Sequence, residues 1–427
     1  MIIMHTTCHR QFGGLEKRIY NESCKMAERG HKIVIAAPDK TPLLIKSQNR
    51  GFRCIPTEFT AKSSIKDYLA LKRLYKTLEI DILNTHGNID SKIALLAALN
   101  INLTLNYKHN TESKPTTYRK SYKNKNKRII PCTILSRHIS ADVQPSLYNK
   151  FLYNRLCDYV FTTADYTTKK LISALEINPD RIFTIPSGVT PLNNGATVDR
   201  ESAISALSSE LINLGKGINI NTYSRFIGFV GRVSEDKGVK DIIEAFLLLA
   251  DWSFNDSSPD AKSVMLDGQT LRYHLVIVGD GEADFISKIE DMINKSAYKD
   301  NIHVIGFRES TYSYYRAFDC TLLASHEVEG ISQSLLEAMY ARCPVAGSKI
   351  GGTCDIIRDG QTGFLFSPKE VKEIATTVLQ ILSDNSFTAK LVEQAFNMVK
   401  DNYTIDSMVN KILSVYAERV DQNRQYI

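Results

Sequence analysis

The sequence predicts an α/β protein of two domains, each with a parallel sheet flanked by helices. Short apolar, β-branched runs alternate with stretches of helical periodicity through both halves of the chain, which is typical of βαβ units. Many of these runs end in a glycine or a polar residue just before a helix, where open parallel sheets hold their ligands. With 427 residues, of which 43% are hydrophobic, the chain is long enough to bury two cores.

The first half alternates regularly between strands and helices. β-Branched runs predict the strands, and apolar residues three to four positions apart predict the helices. The predicted strands are 2–6, 33–36, 81–85, 133–135 and 182–185, and the predicted helices are 15–29, 69–78 and 92–99. We therefore expect residues 1–192 to form the first domain.

The second half repeats the alternation after a polar stretch. This stretch, 193–223, contains Asn-Gly and Gly-Lys-Gly turns and is predicted to be a linker with an insertion. Residues 224–404 are predicted to form the second domain, followed by a last helix within 405–427. The predicted strands of this domain are 226–230, 275–278, 304–306, 321–323, 344–346 and 364–366.

Composition excludes several classes of protein. No run approaches the about 20 apolar residues of a membrane-spanning helix, and Met1 opens directly into a strand rather than a signal peptide. The eight cysteines are scattered without C-x-x-C pairs, which predicts reduced thiols, a cytoplasmic location and no structural zinc. The net charge of +6 is too mild to indicate a nucleic-acid partner.

The most informative stretch, 325–366, carries two glutamates separated by seven residues, Glu329 and Glu337, across a loop and a helix start. Gly330 lets the chain turn and Ser332 suits the helix start. A helix N-terminus presents free N–H groups and partial positive charge to an anion such as a phosphate. Carboxylates on either side of that anion would bind ribose and sugar hydroxyls, so the stretch predicts a nucleotide-sugar site. The alternative is two solvated glutamates.

Two cations follow the first strand of the second half. Arg232 comes directly after Gly231, and Lys237 stands where a helix begins. Cations at a helix N-terminus are unfavourable unless an anion also binds there. An arginine and a lysine can also stabilise the negative charge that develops on a departing diphosphate. We therefore predict that this pair binds a diphosphate.

The ordered motifs of this half resemble glycosyltransferase family 4. The stretch 325–366 contains the E-G, E-A-M, P-V, G-G, D-G and T-G-F-L elements in register. Residues 231–238 are similar to the family's pattern of Gly-Arg followed shortly by Lys-Gly, here with four residues in between. The resemblance implies the GT-B fold, two Rossmann-like domains whose parallel sheets face a central cleft. It also implies that the helix in 405–427 crosses back onto the first domain.

The same resemblance implies the roles of the donor-site residues. Arg232 and Lys237 would bind the diphosphate, Glu337 the ribose and Glu329 the donor sugar. The other implied donor-binding residues are Gly13 and Gly14 in a G-G-x-E turn, Gly231, Phe307 and Arg308 beside the base, and Gly330, Ile331, Ser332 and Gln333 with their N–H groups.

Motifs in the first half resemble a branch of this family with N-T-H, R-H-I-S and I-P-S-G-V. They occur here at 84–86, 137–140 and 185–189. We predict that His138 lines the reaction centre and that His86, Asp90 and Arg137 belong to the acceptor side, because strand ends carry ligand residues. A packed or solvated histidine is the alternative at each position, and His109 ranks lower as a candidate.

Basic residues interleaved with tyrosines fill a segment, 101–128, that looks inserted relative to the family. Its run from Lys108 to Arg128 suits an anionic membrane surface or a phosphorylated acceptor. Nucleic acid would attract the same charges, and a solvated loop without a partner is the plain alternative. We expect peripheral contact with the inner face of a plasma membrane.

The resemblance implies an activity as well as a fold. A sugar would move from a nucleotide diphosphate sugar to a hydroxyl of a glycan or lipid-linked acceptor, with retention of configuration and with no metal or other cofactor. The implied setting is bacterial polysaccharide or lipopolysaccharide synthesis. Two alternatives stay open: a nucleotide-sugar 2-epimerase on the same fold, and a non-catalytic homologue that binds a membrane or a partner.

Three positions depart from the family pattern. Arg342 stands where a glycine usually ends the helix, and a left-handed backbone suits arginine less well. Cys354 and Asp355 replace a common Pro-Glu pair, and the stretch 325–329 is one residue longer than usual. The extra residue is expected to alter contacts with the donor sugar.

Overall fold

The computed structural model describes residues 1–109, 131–138, 143–190, 198–214, 224–254, 265–266, 269–327 and 330–425. The basic segment beyond His109 and the candidate Glu329 lie outside these residues. The chain forms two compact units, one of Met1–Thr190 with Ile405–Ile427 and one of Pro191–Thr404.

The first unit is built on a seven-stranded sheet. Its strands are β1 (Ile2–Thr6), β2 (Lys32–Pro38), β3 (Arg53–Thr57), β4 (Ile82–Thr85), β5 (Cys132–Arg137), β6 (Tyr159–Thr162) and β7 (Ile182–Thr184). They pair in parallel in the order β3-β2-β1-β4-β5-β6-β7. The helices are α1 (Gly14–Glu28), α2 (Pro42–Asn49), α3 (Ser64–Thr77), α4 (Asn88–His109), α5 (Leu147–Phe151), α6 (Asp165–Leu175) and, from the end of the chain, α15 (Ile405–Gln425).

Both faces of this sheet are buried, because successive side chains of a strand point to opposite faces. One face packs against α1, α2 and α15, and its core includes Ile3, Ile82, Ile134, Met408 and Ile412. The other face packs against α3, α4 and α6, and its core includes Met4, Leu83, Leu71, Leu95 and Leu171. The last helix therefore completes one of the two cores of the first unit.

The second unit is built on a six-stranded parallel sheet and a small antiparallel pair. Its strands are β8 (Ser224–Val230), β9 (Met265–Leu266), β10 (Gln269–Thr270), β11 (Arg272–Val278), β12 (Ile302–Gly306), β13 (Cys320–Leu323), β14 (Val345–Ser348) and β15 (Phe364–Phe366). The large sheet has the order β12-β11-β8-β13-β14-β15. The helices are α7 (Arg200–Asn213), α8 (Val239–Phe254), α9 (Ala283–Asn294), α10 (Tyr312–Ala317), α11 (Gln333–Tyr340), α12 (Thr353–Ile356), α13 (Val371–Ser383) and α14 (Asn385–Asn402).

Each sheet has a point where the strand order reverses. In the first unit β1 lies between β2 and β4, and in the second β8 lies between β11 and β13. Ligands of open α/β sheets bind outside the carboxyl ends of the strands at this point. The fold thus marks the loops after β1, β4, β8 and β13 as candidate binding loops. Among the described helices, none is long and apolar enough to cross a membrane.

The structure adds elements that the sequence pattern did not reveal. Within the stretch expected to be a linker with an insertion, helix α7 buries Ala203, Leu207 and Leu211 and packs against α10. Strands β3 and β6 and helices α2 and α6 were also not predicted. The edge strand β3 contains Pro56, and proline is unfavourable in most strands except at an edge. Its local pattern therefore argued against the strand that forms.

Arg342 does occupy a left-handed backbone, with φ of 58°, just after α11. Its guanidinium lies 3.6 Å from the centre of the Phe396 ring, and its Nε donates to Glu393 at 2.6 Å. These two contacts offset the cost of about 1–2 kcal/mol that a side chain brings to this conformation. The departure from the usual glycine is thus compensated by packing on α14.

Candidate functional site

The loops at the carboxyl edge of the second sheet contact one another. The N–H of Val233 donates to the carbonyl of Asp280 at 2.8 Å, which joins the loops after β8 and β11. The N–H of His326 donates to the carbonyl of Asp236 at 2.9 Å, which joins the loop after β8 to the loop after β13. These loops therefore form one surface of the second unit.

Glycines permit this close approach. A Cβ on Gly352 would lie 2.6 Å from the carbonyl carbon of Gly330, so the turn after β14 packs directly on the loop that leads to α11. A Cβ on Gly238 would lie 1.9 Å from the carbonyl oxygen of Ala324, and Gly238 also has φ of 66°. Both positions therefore require glycine.

The two predicted diphosphate ligands lie on this surface. Arg232 is 66% exposed, and its Nη2 donates to Oδ2 of Asp236 at 2.9 Å. Burial raises the pKa of Asp236, but the nearby Ser234 hydroxyl and the charges of Arg232 and Lys237 together bring it below its ordinary value. Lys237 ends a 3-10 turn that stops at Gly238. The loop therefore presents two cations near a single carboxylate.

Glu337 lies on the first turns of α11, behind the helix start. Ser332 caps this helix, and its hydroxyl accepts from the N–H of Leu335 at 3.4 Å. The carboxylate of Glu337 accepts from the hydroxyl of Thr311 at 3.2 Å and from the amide of Gln333 at 3.4 Å. The side chain is thus held by α11 and by the residue before α10, a contact that the sequence pattern did not indicate. Gly330 and Ile331 lead into the same helix start.

The pair expected beside the nucleoside base follows β12. Phe307 is 69% exposed. Arg308 donates from Nε and Nη2 to Oε1 of Glu210, at 2.8 and 2.6 Å, and Tyr314 donates to Oε2 of the same carboxylate at 2.6 Å. Glu210 lies on α7, which the sequence pattern missed, so this partner of Arg308 was missed with it.

In the first unit, the G-G-x-E turn begins α1. The N–H of Gly13 donates to Oε2 of Glu16 at 2.9 Å, while Oε1 of Glu16 is buried without a hydrogen-bond partner among the described residues. A Cβ on Gly14 would meet no atom within 4 Å. The helix start is therefore open to solvent, and the glycines are not required by the packing of the protein itself.

Three histidines form a stacked row at the carboxyl ends of β1, β4 and β5. Nδ1 of His5 lies 2.9 Å from Nε2 of His86, and Nδ1 of His86 lies 2.8 Å from Nε2 of His138. The ring centres are 5.2 and 5.1 Å apart, with interplanar angles of 26° and 24°. The structure thus brings together His86 and His138, the two histidines that the motifs single out, and adds His5.

Burial keeps these rings neutral. It lowers the pKa of His5 to about 3 and lowers the pKa of His86 and His138 well below the usual value. For His86 and His138, neighbouring histidines and Arg18 add to this effect. The row therefore contains hydrogen-bonded imidazoles rather than imidazolium ions near neutral pH.

The other two predicted acceptor-side residues lie elsewhere around the row. Asp90 is buried and accepts from the hydroxyl of Thr6 at 2.7 Å and from the N–H groups of His86 and Gly87 at 3.3 Å. Burial raises its pKa, and these donors oppose the rise. Asp90 therefore holds the turn that carries His86 in place.

Arg137 is the last residue of β5, and His138 follows it. Arg137 is close enough to Tyr153 to oppose the increase in the pKa of that phenol that burial causes. The structure therefore does not bring the guanidinium into the histidine row.

The sequence pattern missed a buried carboxylate beside the histidines. Oε1 of Glu22, on α1, lies 3.4 Å from Nδ1 of His5 and 3.9 Å from Nε2 of His86. Burial raises the pKa of Glu22 to about 7, although Arg18, whose Nε is 3.6 Å from Oε2, opposes this. Glu22 stands in the middle of a helix, where a local pattern predicts only a polar position.

Comparison with protein families gives two matches along the chain. The model described as "Glycosyltransferase Family 4" matches residues 12–191. The model described as "Glycosyl transferases group 1" matches residues 213–398. Each match falls on one of the two sheets and the helices around it.

Curated relatives agree with these matches. An uncharacterized glycosyltransferase of Methanocaldococcus jannaschii, MJ1607, is 25% identical over 60% of this chain and 59% of its own length. N-acetyl-alpha-D-glucosaminyl L-malate synthase of Bacillus anthracis is 24% identical over 50% of this chain and 51% of its own length. The lipopolysaccharide core biosynthesis mannosyltransferase LpsB of Rhizobium meliloti is 22% identical over 47% and 54%. The chain thus spans about half the length of these relatives.

Solved structures match over nearly the whole chain. A glycosyltransferase from Rickettsia africae has a TM-score of 0.75 at 16% identity and covers 98% of both chains. Anabaena Alr3699/HepE in complex with UDP and glucose has a TM-score of 0.70 at 16% identity and covers 97% of this chain and 99% of its own. These matches confirm the predicted fold class, GT-B with two Rossmann-like domains and parallel sheets.

Proposed function

This chain belongs to glycosyltransferase family 4, and on that basis we propose that it transfers a sugar from a nucleotide diphosphate sugar to a hydroxyl group of a glycan or lipid-linked acceptor. One observation carries the donor half of this proposal. Two cations, Arg232 and Lys237, stand on the loop after β8, which contacts the loop that leads to the start of α11. Positive side chains and a helix N-terminus at a strand-order reversal favour a diphosphate.

The donor is held at three places in this proposal. Arg232 and Lys237 bind the diphosphate and stabilise its charge as it leaves, in the role that a divalent cation has elsewhere. Glu337 accepts from the ribose hydroxyls, and its partners Thr311 and Gln333 keep the carboxylate in place. The exposed Phe307 offers an apolar surface to the base. HepE, which shares the fold, was crystallised with UDP-glucose.

The first unit supplies the acceptor side. His138, at the end of β5, faces the acceptor hydroxyl, and His86 fixes its ring by the hydrogen bond at 2.8 Å. At the open start of α1, Oε1 of Glu16 lies 3.6 Å from Nδ1 of His9 and has no hydrogen-bond partner among the described residues, so it would accept from a ligand hydroxyl. The family resemblance supports retention of configuration at the transferred sugar.

We propose cell-surface glycan synthesis as the setting. LpsB is a mannosyltransferase of lipopolysaccharide core biosynthesis, and CapM of Staphylococcus aureus is a glycosyltransferase of capsular polysaccharide biosynthesis. An exposed apolar group on α5 supports peripheral contact with the inner face of a membrane from the cytoplasm. Leu147 is 88% exposed, Tyr148 44% and Phe151 45%, and Lys92 lies 5.1 Å over the Tyr148 ring. Aromatic and basic side chains together suit an anionic bilayer surface.

Nucleotide binding tests the donor half. UDP, GDP and ADP are titrated by calorimetry against the full chain, and the matching nucleoside is titrated beside the nucleotide that binds. We expect Arg232→Ala and Lys237→Ala each to weaken diphosphate binding about 10- to 100-fold, because each removes a charged hydrogen bond of about 1.5–3 kcal/mol. Binding of the nucleoside alone should not change.

Lys240→Ala is the matched control, since Lys240 is exposed on α8 and pairs with Glu244. If Lys240→Ala weakened diphosphate binding as much as the other two variants, the loss would come from the lower net charge of the protein and not from a specific site. A folded wild-type protein that binds none of the three nucleotides would contradict the transferase proposal. Conversion of a donor, without acceptor, into the nucleotide sugar with inverted configuration at C2 would favour the 2-epimerase.

A further inference from the structure

Strand register explains why three histidines from distant parts of the chain form a row. His5 on β1 pairs with Asn84 on β4, and His86 follows the end of β4, two residues beyond Asn84, where its N–H donates to the carbonyl of Thr6 at 3.0 Å. Asn84 pairs with Ile134 on β5, which places Ser136 beside His86. His138 lies two residues beyond Ser136. The row therefore crosses the sheet diagonally, from a fully buried residue to the carboxyl edge.

The two hydrogen bonds in this row constrain where the protons are. A neutral imidazole carries one N–H, and each ring in the middle of such a row must donate on one side and accept on the other. His86 therefore either donates from Nδ1 to His138 or donates from Nε2 towards His5. When His86 changes tautomer, His138 must change with it. A proton that enters at Nδ1 of His138 displaces one from Nε2 of His86.

A titratable group stands where this displaced proton would arrive. Nε2 of His86 faces Nδ1 of His5 at 2.9 Å, and Oε1 of Glu22 lies 3.4 Å from that same nitrogen. Oε1 of Glu22 is buried and has no hydrogen-bond partner among the described residues. Three other groups interact electrostatically with this cluster. Arg18 on α1 opposes the rise in the pKa of Glu22, Glu22 helps to raise the pKa of Tyr416 on α15, and His9 adds to the lowering of the pKa of His86.

We propose that His138 and His86 form a proton relay that ends on the buried His5–Glu22 pair, and that this pair takes up the proton of the acceptor hydroxyl. The inference rests on the proposed function, since the hydroxyl is that of the acceptor. It adds a destination for the proton and assigns Glu22 and His5 to the reaction.

The step balances in atoms and charge. The acceptor oxygen bonds to the anomeric carbon of the sugar while the bond from that carbon to the diphosphate oxygen breaks. The hydroxyl proton passes to Nδ1 of His138, and the proton on Nε2 of His138 passes to Nδ1 of His86. The proton on Nε2 of His86 passes to Nδ1 of His5, 2.9 Å away, and from there to Oε1 of Glu22, 3.4 Å from that nitrogen. The proton neutralises the Glu22 carboxylate. The diphosphate, which takes the bonding electrons from the anomeric carbon, leaves with one more negative charge. The reverse shift restores the row after the product has left.

A metal ion is the competing occupant of this place. His5, Glu22 and His86 each have one nitrogen or oxygen atom within 4.8 Å of the others. The two nitrogens are 2.9 Å apart and share a hydrogen bond, and the buried guanidinium of Arg18 already places a positive charge beside Glu22. Another buried cation would be repelled there, so the geometry favours a proton.

The test follows the tautomers of the rings by NMR of the full chain with ¹⁵N-labelled histidine, without donor or acceptor, from pH 5.5 to 8.5. We expect His86 and His138 to change together from N–H at Nδ1 at low pH to N–H at Nε2 at high pH, in one step near pH 7. The step reports the loss of the proton from the pair, since Glu22 has its pKa raised to about 7 by burial. Neither ring should become an imidazolium.

Glu22→Gln should remove the step and leave one tautomer throughout, because an amide cannot take up the proton. Glu22→Asp should keep a step at a different pH. The buried pair His274 and His303 in the second unit, with nitrogens 3.3 Å apart, serves as the internal control for folding and should be unaffected by either variant.

Three results would overturn the relay: unchanged tautomers in the wild-type protein, a step that survives in Glu22→Gln, or a stoichiometric metal whose removal by a chelator changes the spectra. Because the measurement needs no substrate, it can fail while the nucleotide titrations succeed. The two proposals are therefore tested independently.

Discussion

Two hydrogen bonds, at 2.8 and 2.6 Å, join the guanidinium of Arg308 to a single oxygen of Glu210. The residues are separated by 98 positions, and Glu210 belongs to α7, a helix in the stretch that looks like a linker. The ion pair therefore ties this helix to the loop after β12. It also fixes the orientation of a side chain proposed to lie beside the nucleoside base.

Loss of this support should weaken nucleotide binding. We expect Glu210→Gln to reduce affinity for the bound nucleotide about two- to fivefold, because a partly exposed ion pair contributes about 0.2–1 kcal/mol. Calorimetric titration measures the change. The matched control is Glu393→Gln, which breaks the ion pair between Glu393 on α14 and Arg342. It should leave nucleotide affinity unchanged.

Glu337 should recognise the ribose hydroxyls of the nucleotide. In the wild-type protein we expect 2′-deoxy and 3′-deoxy forms of the bound nucleotide to bind more weakly, at least one of them by about tenfold, since a hydrogen bond to a charged group contributes about 1.5–3 kcal/mol. Glu337→Ala should bind the three forms with similar affinity. Persistence of the same preference in this variant would show that another group recognises the ribose.

Alanine substitutions at two glycines with nearly the same φ distinguish the cost of backbone strain from the cost of a steric clash. Gly238 has φ of 66° and Gly360 has φ of 67°, but only at Gly238 would a Cβ meet a neighbour, the carbonyl of Ala324. We expect Gly360→Ala to lower the free energy of unfolding by about 1 kcal/mol and Gly238→Ala by about 3 kcal/mol or more. Gly238→Ala should also weaken diphosphate binding, because it displaces Lys237. Denaturant unfolding and nucleotide titration check both effects, and similar losses in the two variants would contradict the close approach.

The buried carboxyl of Glu22 should make stability depend on pH. Its pKa rises from 4.5 in the unfolded chain to about 7 in the folded one, so the folded state binds the proton more tightly between these values. Its contribution to stability is therefore fully present below about pH 4.5 and is lost as the pH rises to 7.

Glu22→Gln should lack this loss. Between pH 5 and pH 8, we expect the wild-type protein to lose about 3 kcal/mol relative to the variant, from about 1.4 kcal/mol per pKa unit. The neutral histidines act in the opposite direction on acidification, but they are present in both proteins. Urea unfolding at the two pH values measures the difference, and parallel behaviour of the two proteins would place the titration elsewhere.

Local sequence patterns were sufficient for most of the fold and for part of the site. β-Branched runs located β1, β4, β5, β8 and β11 because their side chains are buried on both faces. Gly238 and Gly352 mark turns where backbone meets backbone, and Ser332 marks the start of α11. These are features that a few neighbouring residues determine.

The rest depends on contacts between distant segments. Glu22 lies in the middle of α1 and looks like an ordinary polar position until β1 and β4 place His5 and His86 against it. His5 lies inside a strand and belongs to no motif. Glu210 meets Arg308 only because α7 packs beside α10. Register and packing decide these relationships, and no spacing along the chain encodes them.

The position of α15 has a consequence for synthesis on the ribosome. This helix supplies Met408, Ile412 and Tyr416 to a core whose strands are translated first, and all of 191–404 is translated in between. The part of this apolar face that α15 covers therefore stays exposed while the second unit emerges and folds, which makes it a binding surface for chaperones. A premature stop before Ile405 would consequently damage the first unit and spare the second.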